Sequence, residues 1–214
     1  MSFTDVPRRS ATSARLYLGV DLAATLLFAV EGASVGVHAH LDLLGVLVVG
    51  FCTALVGGVL RDLLMGDTPP AAFRSPVRIV LALTGGLIAF VLAATVAEVP
   101  AGVLVVLDAL ALGLFAVSGA DKALQSGANG WVVVLLGTIT AVGGGVVRDV
   151  LVNTVPVVLV ASVYATAAAA GALAVWIAAR LRWSPIVGMV IGFVVCTLLR
   201  LAAVAFDWQL PHVG

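Results

Sequence analysis

Two arginine–aspartate pairs, Arg61-Asp62 and Arg148-Asp149, each follow a short run of glycines inside a strongly apolar stretch. In full, Thr53-Ala54-Leu55-Val56-Gly57-Gly58-Val59-Leu60-Arg61-Asp62 returns as Thr140-Ala141-Val142-Gly143-Gly144-Gly145-Val146-Val147-Arg148-Asp149. A charge in apolar surroundings costs at least about 2.5–3.5 kcal/mol and needs a partner or water. Forty residues upstream of each arginine stands an aspartate, Asp21 and Asp108. The spacing predicts that Asp21 pairs with Arg61 and Asp108 with Arg148, in the bidentate geometry that suits guanidinium and carboxylate. Two such pairs would hold opposite ends of one polar path and set its field. This is electrostatic work, not bond-breaking chemistry. No G-x-S-x-G, H-E-x-x-H, Walker loop or C-x-x-C occurs. An enzyme, a self-contained primary pump, and a resident cofactor or metal are therefore not expected.

The surroundings of these pairs decide the class of protein. Of 214 residues 62% are hydrophobic and 10% charged, with 11 basic and 11 acidic side chains. Soluble domains carry about 45–50% apolar and about 25% charged residues. Mean hydropathy is +1.21. A soluble enzyme, a disordered chain and a nucleic-acid-binding domain, which needs a basic surplus, are excluded. An all-α integral membrane protein remains. Cys52 and Cys196 lie in apolar runs without ligand spacing and read as small hydrophobes. The polar start from Met1 to Ala14, followed by a long apolar run, argues against a cleaved signal peptide.

A spanning helix takes about 20 apolar residues. Hydropathy places spans near 16–36, 43–65, 77–97, 101–120, 130–152, 156–179 and 185–206, separated by breakers such as Pro69-Pro70, Pro100, the 125–130 turn, Pro156 and Pro185. The apolar runs are continuous, so an alternating membrane barrel does not fit. Seven spans fill residues 1–214 as one transmembrane domain. Arg8, Arg9, Arg15, Arg74, Arg78, Lys122, Arg180 and Arg182 fall on the N-terminal side, whereas the opposite loops hold His38, His40, Asp42 and Glu98 and no Lys or Arg. The positive-inside rule makes the N-terminus cytoplasmic. Trp131, Trp176, Trp183 and Trp208 lie near span ends and fit an interfacial belt. Arg200 reads as a snorkelling side chain, and His38 and His40 as solvated loop residues.

The repeat runs in one register. An offset of 87 residues, from Arg61 to Arg148, also pairs Asp21 with Asp108, Phe28-Ala29-Val30 with Phe115-Ala116-Val117, Gly32-Ala33 with Gly119-Ala120, and Pro69 with Pro156. Each copy holds three spans (16–97 and 101–179), and an odd number turns the second copy over. The architecture read from this is a 3+3 inverted repeat with an extra helix at 185–206. Inverted repeats collect polar sites near their interface. Thr53, Gly57 and Arg61 share one helix face, as do Thr140, Gly144 and Arg148. Gly57-Gly58 and Gly143-Gly144-Gly145 weaken their helices by about 1 kcal/mol per glycine. A kink there would free carbonyls toward a path; close helix packing is the alternative use of small residues. Some polar residues break the symmetry. Glu31 stands where the second copy has Ser118, and is a candidate to face the path. Asp121-Lys122 closes the fourth span as a possible gating pair or a plain anchor.

Two Gly-Gly-x-x-Arg-Asp copies in a seven-span chain of this length resemble the prokaryotic TRIC channels, the trimeric intracellular cation channel family. Its bacterial members also bear a glycine-transporter-type or UPF0126 domain name. The resemblance covers Leu16 to Phe206. It implies a homotrimer in a prokaryotic inner membrane, in contact with membrane lipids. Each protomer then carries one pore for monovalent cations, chiefly K⁺, lined by the glycine kinks of the second and fifth spans. By motif match these are Gly57, Gly58, Gly143, Gly144 and Gly145. In such a channel Thr53 and Thr140 hydroxyls and freed carbonyls would replace part of the ion's hydration, and carboxylates would repel anions. The competing reading is a secondary carrier of glycine or another small zwitterion at a closed midplane site.

Overall fold

The computed structural model describes residues 11–95, 100–160 and 163–208. Among them the chain forms α1 (Ala11–His38), α2 (Leu43–Leu64), α3 (Ala71–Arg74), α4 (Pro76–Thr95), α5 (Ala101–Gln125), α6 (Gly130–Leu151), α7 (Val157–Val160), α8 (Ala165–Arg180) and α9 (Pro185–Ala205). Six of these, α1, α2, α4, α5, α6 and α9, are long and apolar enough to cross a bilayer. The chain is an all-helical integral membrane protein. The expected continuous span over 156–179 needs correction: it divides into the four-residue α7 and the 16-residue α8. Hydropathy is unbroken across that stretch, so composition carried no sign of the interruption. His38, expected in a loop, closes α1, where its Nδ1 lies 2.7 Å from the Ser34 carbonyl. Glu98 lies outside the described residues.

Helix ends follow local chemistry, and they match at the 87-residue offset. Asp42 caps α2 by accepting from Gly45 N at 2.8 Å, and Asn129 caps α6 by accepting from Val132 N at 3.0 Å. Each side-chain oxygen satisfies one amide that the first turn leaves without an intrahelical partner. At the other ends, Gly66 (φ 70°) and Asn153 (φ 57°) adopt left-handed backbone. Around them Asp67 N donates to Asp62 O, and Thr154 N to Asp149 O, both at 2.9 Å. Glycine and asparagine are the residues that tolerate this helix-ending conformation. Arg61 and Arg148 occupy the last turns, where exposed carbonyls favour a cation.

α1 and α5 form the centre. α1 packs against α2, α4 and α5, and α5 against α6, α8 and α9. Phe28 and Phe115, one offset apart, meet between them with ring centroids 5.3 Å apart. α2 and α6 cross in direct contact. A Cβ added to Gly57 would lie 2.2 Å from the Thr140 carbonyl oxygen, and one added to Gly144 would lie 2.0 Å from that of Thr53. Thr53 and Thr140 in turn fill the spaces beside Gly32 and Gly119. Both helices continue through their glycines. The glycines serve close packing, since without side chains the two backbones can touch.

Gly144→Ala places a methyl group against an immovable backbone oxygen. Overpacking of this kind costs about 1–3 kcal/mol, more than the roughly 1 kcal/mol gained in helix propensity. Thermal unfolding in detergent should show a lowered midpoint for Gly144→Ala. Gly19→Ala, with nothing within 4 Å of the added atom, should not fall. Equal midpoints for the two variants would contradict the crossing.

Candidate functional site

The charges that α2 and α6 carry at their last turns gather in two clusters. In the first, Asp21 on α1 receives Arg61 Nη1 at 3.2 Å on Oδ1, and Arg78 Nη2 and Nε at 2.8 and 2.9 Å on Oδ2. Ser118, reaching in from α5, donates to Asp21 Oδ1 at 2.8 Å and accepts from Arg61 Nη1 at 3.2 Å. Arg61 Nε also donates to its neighbour Asp62 at 2.8 Å. The second Asp62 oxygen accepts from Ala71 N at 2.8 Å and so fixes the start of α3. A small cavity opens beside this group, lined by Asp21, Thr25, Gly58, Arg61, Arg78 and Phe115 among others.

Lys122 ties the rim of the first cluster. Its Nζ donates to Asp62 Oδ1 and Asp67 Oδ2, both at 2.6 Å, and Arg74 pairs with the other Asp67 oxygen. Asp67 lies in the loop after α2. Hydrogen bonds from Lys122 and Arg74 hold its carboxyl below the ordinary carboxylate range, so the tie persists into mildly acidic solution. Asp121, placed at the close of a span by sequence, is instead buried one turn before the end of α5.

The second cluster is built on Arg148. Its Nε donates to Asp149 at 2.8 Å, and Asp149 Oδ2 accepts from Val157 N at 2.7 Å, fixing the start of α7. Arg148 Nη1 touches Glu31 of α1 directly, while Asp108 stands 4.0 Å away. The expected Asp108–Arg148 pair is present at 4.0 Å, and Glu31 joins it as the nearer partner of Arg148. Asp108 is held by Tyr164, whose hydroxyl donates to Oδ1 at 2.7 Å, and by Arg200, 3.5 Å from Oδ2. Arg200 also lies over the Tyr164 ring at 4.8 Å. It is 8% exposed, so it does not snorkel; the buried Asp108 draws it inward.

The clusters correspond. Position 31 of the first copy and position 118 of the second each cross to the other copy's arginine. Glu31 and Ser118 therefore occupy equivalent places, and the register that paired them in the sequence was their signal. Arg78, Tyr164 and Arg200 were missed as members, because nothing in the repeat announces them. Asp21 and Glu31 are separated by ten residues of α1, or about 15 Å along its axis. The α2–α6 crossing lies between the levels of the two clusters in sequence register, with Thr53 and Thr140 buried there and donating to Val49 and Leu136 of their own helices. Among the described residues, no group of three or more His, Cys, Asp or Glu is placed to hold a metal ion.

Removing one member of a buried ion pair leaves its partner uncompensated, at a cost of about 3–5 kcal/mol. Asp21→Asn takes from Arg78 the carboxylate it is paired with and leaves Arg61 only Asp62 of its two. It should lower the thermal midpoint sharply, whereas Arg74→Ala at the half-exposed rim should change it little. A stable Asp21→Asn protein would contradict the described pairing.

The family model described as "Glycine transporter" matches this chain twice, over residues 18–94 and 105–180. A UPF0126 membrane protein of Deinococcus radiodurans is 44% identical over 162 residues, 75% of each chain. The UPF0126 inner membrane protein YadS of Escherichia coli is 34% identical over 193 residues, 90% of this chain and 93% of its own. Among solved structures, a TRIC cation channel superposes with a TM-score of 0.80 at 39% identity, covering 91% of this chain and 96% of that one. The trimeric intracellular cation channel orthologue from Rhodobacter sphaeroides gives 0.84 at 32% identity, covering 90% and 99%. These structural neighbours are channels rather than enzymes. The chain belongs to the UPF0126 membrane protein family, to which the prokaryotic TRIC cation channels are its structural kin.

Proposed function

We propose that this chain is a monovalent cation channel that conducts K⁺, with one passage in each protomer of a homotrimer. The observation that carries this reading is the neutralisation of the buried arginines. Arg61, Arg78, Arg148 and Arg200 each lie within 4.0 Å of a carboxylate. An unpaired arginine near the path would repel a cation; a paired one leaves the carboxylates and dipoles to set the field.

The passage runs from the cavity beside Asp21 and Gly58, between α2 and α6, to the cluster of Glu31, Asp108 and Arg148. Gly57, Gly143 and Gly144, with Thr53 and Thr140, form its closed constriction. Gly58 and Gly145 flank it on either side; a Cβ added to each would lie 3.7 and 3.8 Å from Nη2 of Arg61 and Arg148. Opening requires α2 and α6 to part. Lys122, braced between Asp62 and Asp67, would restrain one mouth and is the gating candidate, with Asp121 beside it. The two copies are inverted halves of three spans each, with α9 added. Matched caps, the reciprocal glycine–threonine contacts and the twice-matched family model support this. With loop arginines on its side, the N-terminus is cytoplasmic.

The description "Glycine transporter" favours a second reading, a carrier for glycine. Reconstitution of the full chain in liposomes and planar bilayers separates the two. A channel gives unitary K⁺ currents and no saturable glycine uptake; a carrier gives the reverse. Asp108→Asn should lower K⁺ conductance by about threefold or more, the scale expected when one charge near a partly wet path is lost. Unchanged conductance and selectivity would remove Asp108 from the path. Crosslinking in mild detergent should trap a trimer, and a strictly monomeric species would contradict the assembly.

A further inference from the structure

The two clusters can be compared charge by charge. Around Asp21 the deeply placed ions are Asp21 and Asp62 against Arg61 and Arg78, two of each sign, and the remaining member is the neutral hydroxyl of Ser118. Around Asp108 they are Asp108 and Asp149 against Arg148 and Arg200, again two of each sign. The remaining member there is Glu31, which is 3% exposed. Ser118 does two things at its position: it donates to the aspartate and accepts from the arginine. An ionised Glu31 can only accept, and it would leave the buried cluster with one uncompensated negative charge. A neutral carboxylic acid can do both. Glu31 Oε1 already accepts from Arg148, while its Oε2 is buried without a hydrogen-bond partner among the described residues.

We propose that Glu31 is a proton-binding site, carrying on Oε2 the hydrogen that Ser118 carries at the equivalent place. Arg148 on α6 contacts it directly; Asp108 on α5, Asp149 on α6 and Tyr164 ahead of α8 interact with it electrostatically, and Arg200 on α9 reaches the same cluster through Asp108. α2 and α4 bring no charge to it: their charged side chains, Arg61, Asp62 and Arg78, belong to the Asp21 cluster. Glu31 lies seven residues from the end of α1 at His38, about 10 Å along the axis. Release of the proton converts a balanced cluster into one with a single negative charge, which attracts a cation.

The chain contains only two glutamates, Glu31 and Glu98, and this gives a test that leaves the cluster intact. Glu98→Gln protein, labelled with carboxyl-¹³C glutamate and reconstituted in lipid, is followed by infrared spectroscopy. The expected result at neutral pH is a protonated-carboxyl C=O band that shifts with the label and is lost as the solution is made alkaline. Only carboxylate bands from the labelled side chain at neutral pH would overturn the proposal. A second readout rests on the channel reading. K⁺ flux in the wild type should rise several-fold from neutral to alkaline pH, while Glu31→Gln should stay flat at the low level. A flux profile in Glu31→Gln as steep as that of the wild type would overturn Glu31 as the group responsible. Because the infrared band does not depend on transport, absence of K⁺ flux would count against the channel and leave the proton site standing.

Discussion

A guanidinium buried inside a membrane protein needs a carboxylate beside it, because neither water nor a lipid headgroup reaches it there, and Arg61 and Arg148 are both buried. The favourable field of the helix end offsets only a fraction of the insertion cost. Arg61 and Arg148 meet this constraint in the same way. Each is bonded to the aspartate that follows it and to a carboxylate of α1. That aspartate then reaches onward to cap a short helix at Ala71 or Val157. Three elements are therefore fixed by each arginine: the end of its own helix, the position of α1 beside it, and the turn that follows. α1 serves both clusters, which is why it is among the most enclosed helices of the fold and why it carries two acids ten residues apart.

The glycine crossing follows from the same demand. If α2 and α6 are to deliver their arginines to opposite ends of α1, they must pass each other closely. Gly57 against the Thr140 carbonyl, and Gly144 against that of Thr53, permit contact of backbone with backbone. Such a contact is tight but holds little apolar side-chain surface. Packing of small residues in a membrane gains van der Waals contact rather than hydrophobic free energy.

Much of this was legible before any coordinates. The 87-residue register placed Asp21 opposite Arg61 and paired Glu31 with Ser118, because a duplicated unit preserves contacts as well as residues. Hydropathy found the long helices, since each run of apolar residues matches the bilayer. It failed at 156–179, where a short helix and a turn are as apolar as a span. The glycines were ambiguous by nature, because loss of a side chain permits both bending and close approach, and only the neighbour decides. Arg78 and Arg200 were invisible as partners: each comes from a helix with no counterpart charge in the repeat, and an arginine near a span end looks the same whether it reaches water or a buried aspartate. Tyr164 was hidden by the break between α7 and α8, which sets its hydroxyl 2.7 Å from Asp108.

In the proposed channel the α2–α6 crossing is a closed constriction that parts to conduct. Leu60 Cδ1 lies 3.0 Å from the place a Cβ would take on Gly143, so Leu60→Cys with Gly143→Cys puts two thiols across the contact. With Cys52 and Cys196 replaced by alanine, this pair can be oxidised and reduced in planar bilayers while current is recorded. K⁺ current should be lost on oxidation and return on reduction. Full current through protein that is completely crosslinked would contradict the constriction.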